Sequence, residues 1–300
     1  MQLFNDNCLK VLPTIPDKSI DLILTDPPYG TIKNAPSTWK KKTFWDNKID
    51  IKKMFEATNR VLKENSCMIL FSQDPYTFEL STYKHKHLKY SYRYTWIKDK
   101  FGNHLGSKKF PVNFTEDVCV FFKREENKEN HILSEYFLNE LKKSKISIKE
   151  ICVLLNTTNA THYFTKGKQF RIPNKEKYLK LQLVTNFFKM DYNELSKLYF
   201  DFNNNKRKTI FNLEKDKKYK SNLLIYNKDK TKYHTTQKPI NLLEDLIKTY
   251  TNENDTVLDF TMGSGSTGVA CKNLNREFIG IELDKNFFNI AKNRIESTLF

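Results

Sequence analysis

Thr25-Asp26-Pro27-Pro28-Tyr29-Gly30 closes the most apolar short run of the chain, Ile20 to Thr25. Two prolines fix the backbone there and remove two N–H donors. A carboxylate, carbonyls freed from pairing and an aromatic ring then stand together at a strand's C-terminal end. That end is where α/β sheets bind ligands. The set is rich in acceptors and offers a stacking surface. It suits a planar group bearing an amine, such as a nucleobase. Taken alone, it is equally a proline turn that caps a strand.

A second set lies near the other end of the chain. Val257-Leu258-Asp259-Phe260-Thr261-Met262-Gly263-Ser264-Gly265-Ser266-Thr267-Gly268 reads as a strand, a glycine turn and a helix start. Gly263, Gly265 and Gly268 fit GxGxxG, a spacing that permits a tight turn and close approach of backbone to a ligand. Glu282 follows Gly263 by 19 residues, at the end of the next apolar strand. A carboxylate there accepts hydrogen bonds from both hydroxyls of a ribose. A ligand containing a nucleoside is expected. The pattern alone suits NAD equally, but chain order weighs against it. Only 32 residues follow Gly268, whereas a dinucleotide domain continues downstream of its glycine loop.

Those loops need strands and helices to hold them. Short apolar runs predict buried strands at Ile20 to Thr25, Cys67 to Phe71, Tyr92 to Ile97, Val118 to Phe122, Thr256 to Phe260 and Glu277 to Glu282. Helical spacing covers Ile51 to Leu62, Ile240 to Tyr250, Ser266 to Leu274 and Lys285 to Ile295. Continuous apolar strands alternating with helices predict a parallel sheet covered on both faces. Since too little chain follows the glycine turn to finish a sheet, its other strands must come from the N-terminal half.

Charge divides the chain further. The 300 residues carry 51 Lys and Arg against 35 Asp and Glu, a net charge of +16. From Lys123 to Lys232 there are 25 basic and 13 acidic residues, +12 in 110 positions, and seven of the eight glycines lie outside this segment. A near-neutral α/β body built from both chain ends, interrupted by a basic insert, is the organisation this predicts; a lysine-rich solvated surface is the plainer reading. Helical spacing at Glu135 to Leu141, Ile148 to Leu155, Glu176 to Phe188 and Tyr192 to Tyr199 makes the insert mainly helical. A basic chain of this kind meets a polyanion, nucleic acid first. With 39% apolar residues it is not a disordered chain, and no stretch is long and apolar enough for a membrane span. Cys8, Cys67, Cys119, Cys152 and Cys271 form no CxxC pair, so free thiols are expected, and neither a metal site nor a disulfide framework. MQLFNDNCLK has no basic-then-apolar leader, and a cytoplasmic protein is expected.

Together the two loops resemble those of the S-adenosylmethionine-dependent DNA amino-methyltransferases. In that family a Pro-Pro pair, preceded by Asp, Asn or Ser and followed by an aromatic residue, marks the target-base pocket. The order here, Asp-Pro-Pro-Tyr first and glycine turn last, resembles the permuted β group, adenine-N6 type. Leu3-Phe4-Asn5-Asp6-Asn7-Cys8-Leu9 resembles the cofactor-adenine strand, with Asp6-Asn7 where the family usually has Gly-Asp. His234-Thr235-Thr236-Gln237-Lys238-Pro239 resembles the helix start that helps hold the methionine end, and Trp96-Ile97-Lys98, Pro111 and Glu116-Asp117-Val118 resemble the strands after the catalytic loop. The resemblance spans about residues 2–122 and 233–298.

It implies a Rossmann-like, mostly parallel sheet flanked by helices, a circularly permuted methyltransferase fold with a mainly helical inserted target-recognition region. Residues 1–122 and 233–300 would be the catalytic parts and 123–232 the insert. It further implies methyl transfer from S-adenosylmethionine to N6 of a flipped-out adenine in duplex DNA, without a metal. Asp26 and the Pro27 carbonyl, set by Pro28, would accept hydrogen bonds from the amine, with Tyr29 stacked on the base. Asp6, Asn7, Cys8, Asp26, Gln237, Lys238, Pro239, Phe260, Thr261, Gly263, Ser264, Gly265, Ser266, Thr267, Glu282 and Leu283 would line the cofactor site, with Asp259 near the methionine amine. Lys40, Lys41 and Lys42, between Trp39 and Trp45, would close over DNA.

In the insert, Ser147 to Leu155 and Asn159 to Phe164 fit either a helix-turn-helix or a plain helical hairpin. His162, Lys166, Lys168 and Arg171 would then face DNA. A restriction–modification system with a cognate endonuclease, or an orphan methylase, are both consistent, as is a homodimer. Two other readings remain. Cytosine N4 is an exocyclic amine with similar demands, and a non-enzymatic DNA-binding regulator would explain the charge but not the two loops.

Overall fold

The computed structural model describes residues 1–30, 46–102, 108–109, 111–124, 130–167, 169–204, 209–231, 233 and 237–298. Two compact units divide the chain, one from residues 1–125 and 209–300, the other from 126–208.

The first unit is built on an eight-stranded sheet, ordered β1-β8-β7-β2-β3-β5-β4-β6. The strands are β1 (Gln2–Phe4), β2 (Ile20–Thr25), β3 (Leu62–Ser72), β4 (Leu88–Gly102), β5 (Asn113–Lys123), β6 (Leu223–Ile225), β7 (Thr256–Asp259) and β8 (Glu277–Ile281). Every residue of β2 is buried. An unbroken apolar strand is stable only with both faces covered, and one buried cluster lies on each face. Leu22, Ile69, Val118, Leu246 and Val257 belong to one; Ile23, Phe55, Met68, Phe121 and Leu258 belong to the other. Among the described residues the one antiparallel strand is β5, which enters between β3 and β4 with Met68 opposite Phe121 and Trp96 opposite Glu116. The sheet is therefore mixed but mostly parallel, as the resemblance implies. As β5 runs opposite to β4, its first residues and the last residues of β4 share the edge formed by the C-terminal ends of β2, β7 and β8.

Helices α1 (Cys8–Val11), α2 (Ile51–Val61) and α3 (Tyr76–Thr82) precede β4, while α8 (Ile240–Tyr250), α9 (Ser266–Asn273) and α10 (Lys285–Ser297) carry the C-terminal half. Short β1 joins the edge beside β8, Leu3 opposite Gly280, and the Met1 ammonium meets Glu277 at 3.0 Å. Strands from the N- and C-terminal parts thus share one sheet.

The second unit holds α4 (Ile132–Ser144), α5 (Ile148–Leu154), α6 (Lys175–Thr185) and α7 (Tyr192–Asn204). Phe137, Ile151, Tyr178, Leu181, Phe188 and Leu195 form its own core. Ser147 and Glu150 make a capping box that starts α5. It is narrower than the expected insert, 123–232. Residues 209–232 belong with the sheet because Leu223–Ile225 pairs with Thr95 to Ile97 of β4 and the Asn212 amide donates to the Lys248 and Thr251 carbonyls at the end of α8. Residues 126–208 hold 16 basic and 9 acidic residues, +7, and 209–232 hold 7 and 3, so part of the basic excess lies on the sheet-bearing unit. The segment that could have begun the second helix of a helix-turn-helix is a six-residue 3₁₀ turn, Asn159–Phe164, whose Ala160, Tyr163 and Phe164 are buried. So tight and short a turn is no recognition helix.

Candidate active site

The crevice between β2 and β7 is the switch point of the sheet, where successive strands run outward in opposite directions. Asp26 to Gly30 leave β2, and Phe260 to Gly265 leave β7. Hydroxyls join the two exits. Thr25 Oγ1 donates to Asp259 Oδ1 at 2.7 Å and lies 2.6 Å from Thr261 Oγ1, which donates to the Asp26 carbonyl at 3.1 Å.

Each glycine of the turn has its own reason. Gly263 (φ +52°) faces open space, since a Cβ there would meet nothing within 4 Å. At Gly265 (φ +80°) a Cβ would lie 2.8 Å from that of Ala291, and at Gly268 one would lie 2.4 Å from Ile295 Cδ1. The first glycine thus leaves room for a ligand, while the other two let α9 approach α10. Glu282 accepts the Gly263 N–H at 2.9 Å and the Asp284 N–H at 2.8 Å. Burial pushes its carboxyl above the usual range, against those two donors. Leu283 beside it is 69% exposed, an apolar side chain on the rim. Asn5 Nδ2 donates to the Glu282 and Leu283 carbonyls, holding this rim to β1. Asn7 caps α1 through the Leu9 N–H, and Asp6 accepts the Asn7 N–H. Cys8 is buried, and burial pushes its thiol up to about 11.

Other residues of the expected cofactor set face inward. Asp259 is buried, and both its oxygens are engaged, by the Thr25 and Thr267 hydroxyls and the Thr261 N–H. Burial pushes its carboxyl up to about 6 against those donors. Phe260 is in the core cluster with Cys8 and Leu12. The Ser264 carbonyl and hydroxyl and the Ser266 hydroxyl accept from Arg294, which lies over the Tyr233 ring at 4.3 Å. Gln237 Oε1 accepts the Tyr233 N–H and its amide donates to Asp229, closing a loop before α8 that Pro239 caps.

Around Asp26 lies a cluster of charge. Tyr29 Oη shares its one hydrogen between Asp26 Oδ1 at 2.6 Å and Glu116 Oε1 at 3.0 Å. Lys238 Nζ lies 2.5 Å from Asp26 Oδ2, 2.9 Å from Glu116 Oε1 and 5.0 Å from the Phe71 ring centroid. Lys98 lies 2.9 Å from Glu116 Oε2. Burial outweighs Lys238 and raises the Asp26 carboxyl, with Glu116 adding to the rise. Burial would raise Glu116 too, but Lys238 and Lys98 overcome it and hold that carboxyl at about 2. The Tyr29 hydroxyl is raised by burial and both carboxylates, so it stays a donor. Its ring stacks on that of buried Tyr76 at 5.6 Å, and the Gly30 N–H is held by Asp46.

Asp26, Tyr29 and Lys238 therefore meet directly, as do Asp259, Thr261 and Thr267, and Gly263 with Glu282. Sequence reasoning passed over Glu116, Lys98, Arg294 and Thr25 as site residues. The one available signal was charge within apolar strands, Glu116 opening the apolar part of β5 and Lys98 closing that of β4. Lys40, Lys41, Lys42 and Lys168 lie outside the described residues, as do His234 to Thr236. In the second unit Lys166 and Arg171 are exposed and His162 half-buried, and the Arg171 N–H donates to the His162 carbonyl. Among the described residues no group of three or more His, Cys, Asp or Glu could hold a metal ion, and no helix is long and apolar enough to cross a membrane.

An α/β sheet with a carboxylate-bearing proline loop beside a glycine turn defines an enzyme of the methyltransferase fold. The chain belongs to the DNA methylase family of N6 and N4 methyltransferases, whose model matches residues 20–293. It is 25% identical over 304 residues to the type II methyltransferase M.HpaI of Haemophilus parainfluenzae, covering 99% of this chain and 74% of that one. The fold is similar to that of the M1.HpyAVI–SAM complex (TM-score 0.54, 21% identity, 98% of each chain). It is similar also to the PvuII cytosine-N4-specific DNA methyltransferase (TM-score 0.54, 13% identity, 97% of this chain and 85% of that one).

Proposed function

We propose that this DNA methyltransferase transfers a methyl group from S-adenosylmethionine to N6 of an adenine flipped out of duplex DNA. The observation that carries the reading is the bond from Thr261 to the Asp26 carbonyl, which fixes the acceptor-rich loop against the glycine turn. A base amine at the first and a nucleoside-bearing cofactor at the second would be neighbours.

The residues fit the cofactor. Glu282 would accept from the ribose hydroxyls, Leu283 would pack on the adenine, and the space above Gly263 would admit the rest of the nucleoside. Asn7 and Asp6 lie at the exposed end of β1 for the adenine edge. Gln237, Lys238 and Pro239 would border the methionine end. Asp259 would act by holding the turn, since it is buried behind the hydroxyls that engage it. When bound, the cofactor supplies a sulfonium-activated methyl group.

The amine nitrogen's lone pair is delocalised into the base. Asp26 and the Pro27 carbonyl would accept its two N–H bonds and draw it towards a tetrahedral, more nucleophilic geometry, which positions it for in-line attack. The amine must then shed a proton, and Asp26, raised by burial, is placed to take it. Extruding the base costs a few kcal/mol; stacking on Tyr29, itself backed by Tyr76, offsets about 1–3 kcal/mol of that. The Asp before Pro-Pro leans to adenine in this family. The cytosine-N4 specificity of the PvuII enzyme, on the same fold, is the second reading. Residues 126–208 would read the target sequence, the partner being duplex DNA; a cognate endonuclease and a homodimer belong to the same reading.

Calorimetry with S-adenosylmethionine and NAD tests the cofactor: binding of the first and none of the second is expected. Asp26→Ala should abolish turnover and leave cofactor affinity nearly intact. An active Asp26→Ala enzyme refutes the mechanism.

A further inference from the structure

We propose that Glu116 is a positioning residue for methyl transfer, sharing Lys238 and the Tyr29 hydroxyl with Asp26 so that neither is committed to Asp26 alone. The inference rests on the reaction proposed above and assigns it a residue on a distant strand.

The geometry is one of shared partners. Both Asp26 and Glu116 bind the same ammonium, Lys238, at 2.5 and 2.9 Å, and the same phenol, Tyr29, at 2.6 and 3.0 Å. Among the described residues Glu116 alone has a second cation, Lys98, on its other oxygen. The carboxylate with two lysines is a fixed anion, and the carboxylate with a share of one lysine is the adaptable member. Their unequal surroundings push the two apart, with Glu116 low and Asp26 high. Two neighbouring carboxylates so separated mark an assignment of roles.

Packing needs do not explain the cluster. Side chains of Glu116, Lys98 and Lys238 are only 10, 8 and 9% exposed, whereas that of Asp26 is 24% exposed. Taking such ions out of water is costly, and buried ion pairs are weak stabilising devices compared with apolar residues of similar size. The cluster sits at the strand ends, one side chain away from the proposed reaction, and not within the sheet. Among the described residues the groups facing Asp26 are Tyr29 on its own loop, Glu116 on β5, Lys238 before α8, Tyr76 on α3 and Asp259 on β7, with Lys98 on β4 behind Glu116.

The sign of the effect follows. Glu116 repels a second negative charge and occupies part of Lys238. Without its charge, Lys238 and Tyr29 both turn to Asp26, which then ionises at lower pH and becomes a weaker acceptor. Single-turnover methylation, measured against pH with enzyme in excess over DNA, reads this directly. Glu116→Gln should lower the plateau rate about 10- to 100-fold and move the acidic limb to lower pH, with affinity for S-adenosylmethionine within about twofold of wild type. Glu116→Asp keeps the charge and loses the reach, so it should lower the rate with its acidic limb in place. A thermal melt separates loss of fold from loss of rate, and Glu116→Asp serves where the Gln variant does not fold. Wild-type rate and limb in Glu116→Gln, or equal loss in both variants with neither limb moved, overturns the positioning role. A wild-type enzyme that methylates nothing overturns the underlying reading instead.

Discussion

We expect the three carboxylates in the crevice to do three different things. Glu282, on the ligand side of the turn, should matter for affinity. Glu282→Ala should weaken S-adenosylmethionine binding by about 1.5–3 kcal/mol, the loss of a charge-assisted hydrogen bond; unchanged calorimetric affinity with the fold intact would sink the ribose assignment. Asp259 is expected to matter first for stability. Its carboxyl, at about 6 in the folded protein against 3.8 ordinarily, is raised. A raised group ionises less readily folded than unfolded, so its contribution is full below about pH 4 and is lost as pH rises through 6. Relative to Asp259→Asn, wild-type stability in denaturant should therefore fall by up to about 3 kcal/mol between pH 4 and 6.5. A constant difference contradicts this. Asp26 is the third, and Tyr29 is tied to it. Tyr29→Ala should lower activity, less so on a mismatched base that already flips easily. Tyr29→Phe should be milder, because the ring does the stacking, yet below wild type, since the hydroxyl ties Asp26 to Glu116. Asp26 and Glu282 were legible in the sequence because proline and glycine chemistry beside them is local. Glu116 was not, because its place beside Asp26 depends on β5 entering antiparallel between β3 and β4, a long-range pairing no local pattern encodes.

At the level of elements, the glycine turn separates ligand space from packing space. Gly263→Ala should fold with a penalty of about 1–2 kcal/mol for a left-handed alanine, and should lose most affinity for S-adenosylmethionine, since its Cβ enters the open space. Gly268→Ala should do the reverse. Its Cβ would collide with Ile295 and Phe278, an overpacking worth about 1–3 kcal/mol in a thermal melt, with the turn itself unchanged. Equal effects of the two variants on stability and affinity contradict this division. The strand-turn-helix was legible because three glycines at fixed spacing follow an apolar run. The short strand β6 was not, since three residues, Leu223–Ile225, in a lysine-rich stretch give no periodicity to read. The 3₁₀ turn at Asn159–Phe164 likewise mimics the start of an α-helix over its few residues.

For the molecule as a whole, the basic excess predicts DNA binding that falls steeply with salt. Exchanging residues 126–208 for a relative's segment should change the sequence methylated and not the reaction. Extending the exchange to 123–232 removes β6 from the sheet and should cost stability as well. Unchanged specificity in the first exchange would place recognition elsewhere, the Trp39 to Trp45 segment being the next choice. The division into a body made from both ends and a helical unit was legible from charge and glycine distribution. Its C-terminal boundary was not, because charge does not report the pairing of β6 with β4 that carries residues 209–232 into the sheet. The claim beneath all of this is the identity of the methylated atom. Duplex DNA treated with the protein and S-adenosylmethionine, digested to nucleosides and analysed by mass spectrometry, should contain N6-methyladenine, and none after treatment with Asp26→Ala. N4-methylcytosine as the sole product contradicts the adenine assignment, and no methylated base with the wild-type protein contradicts the reaction.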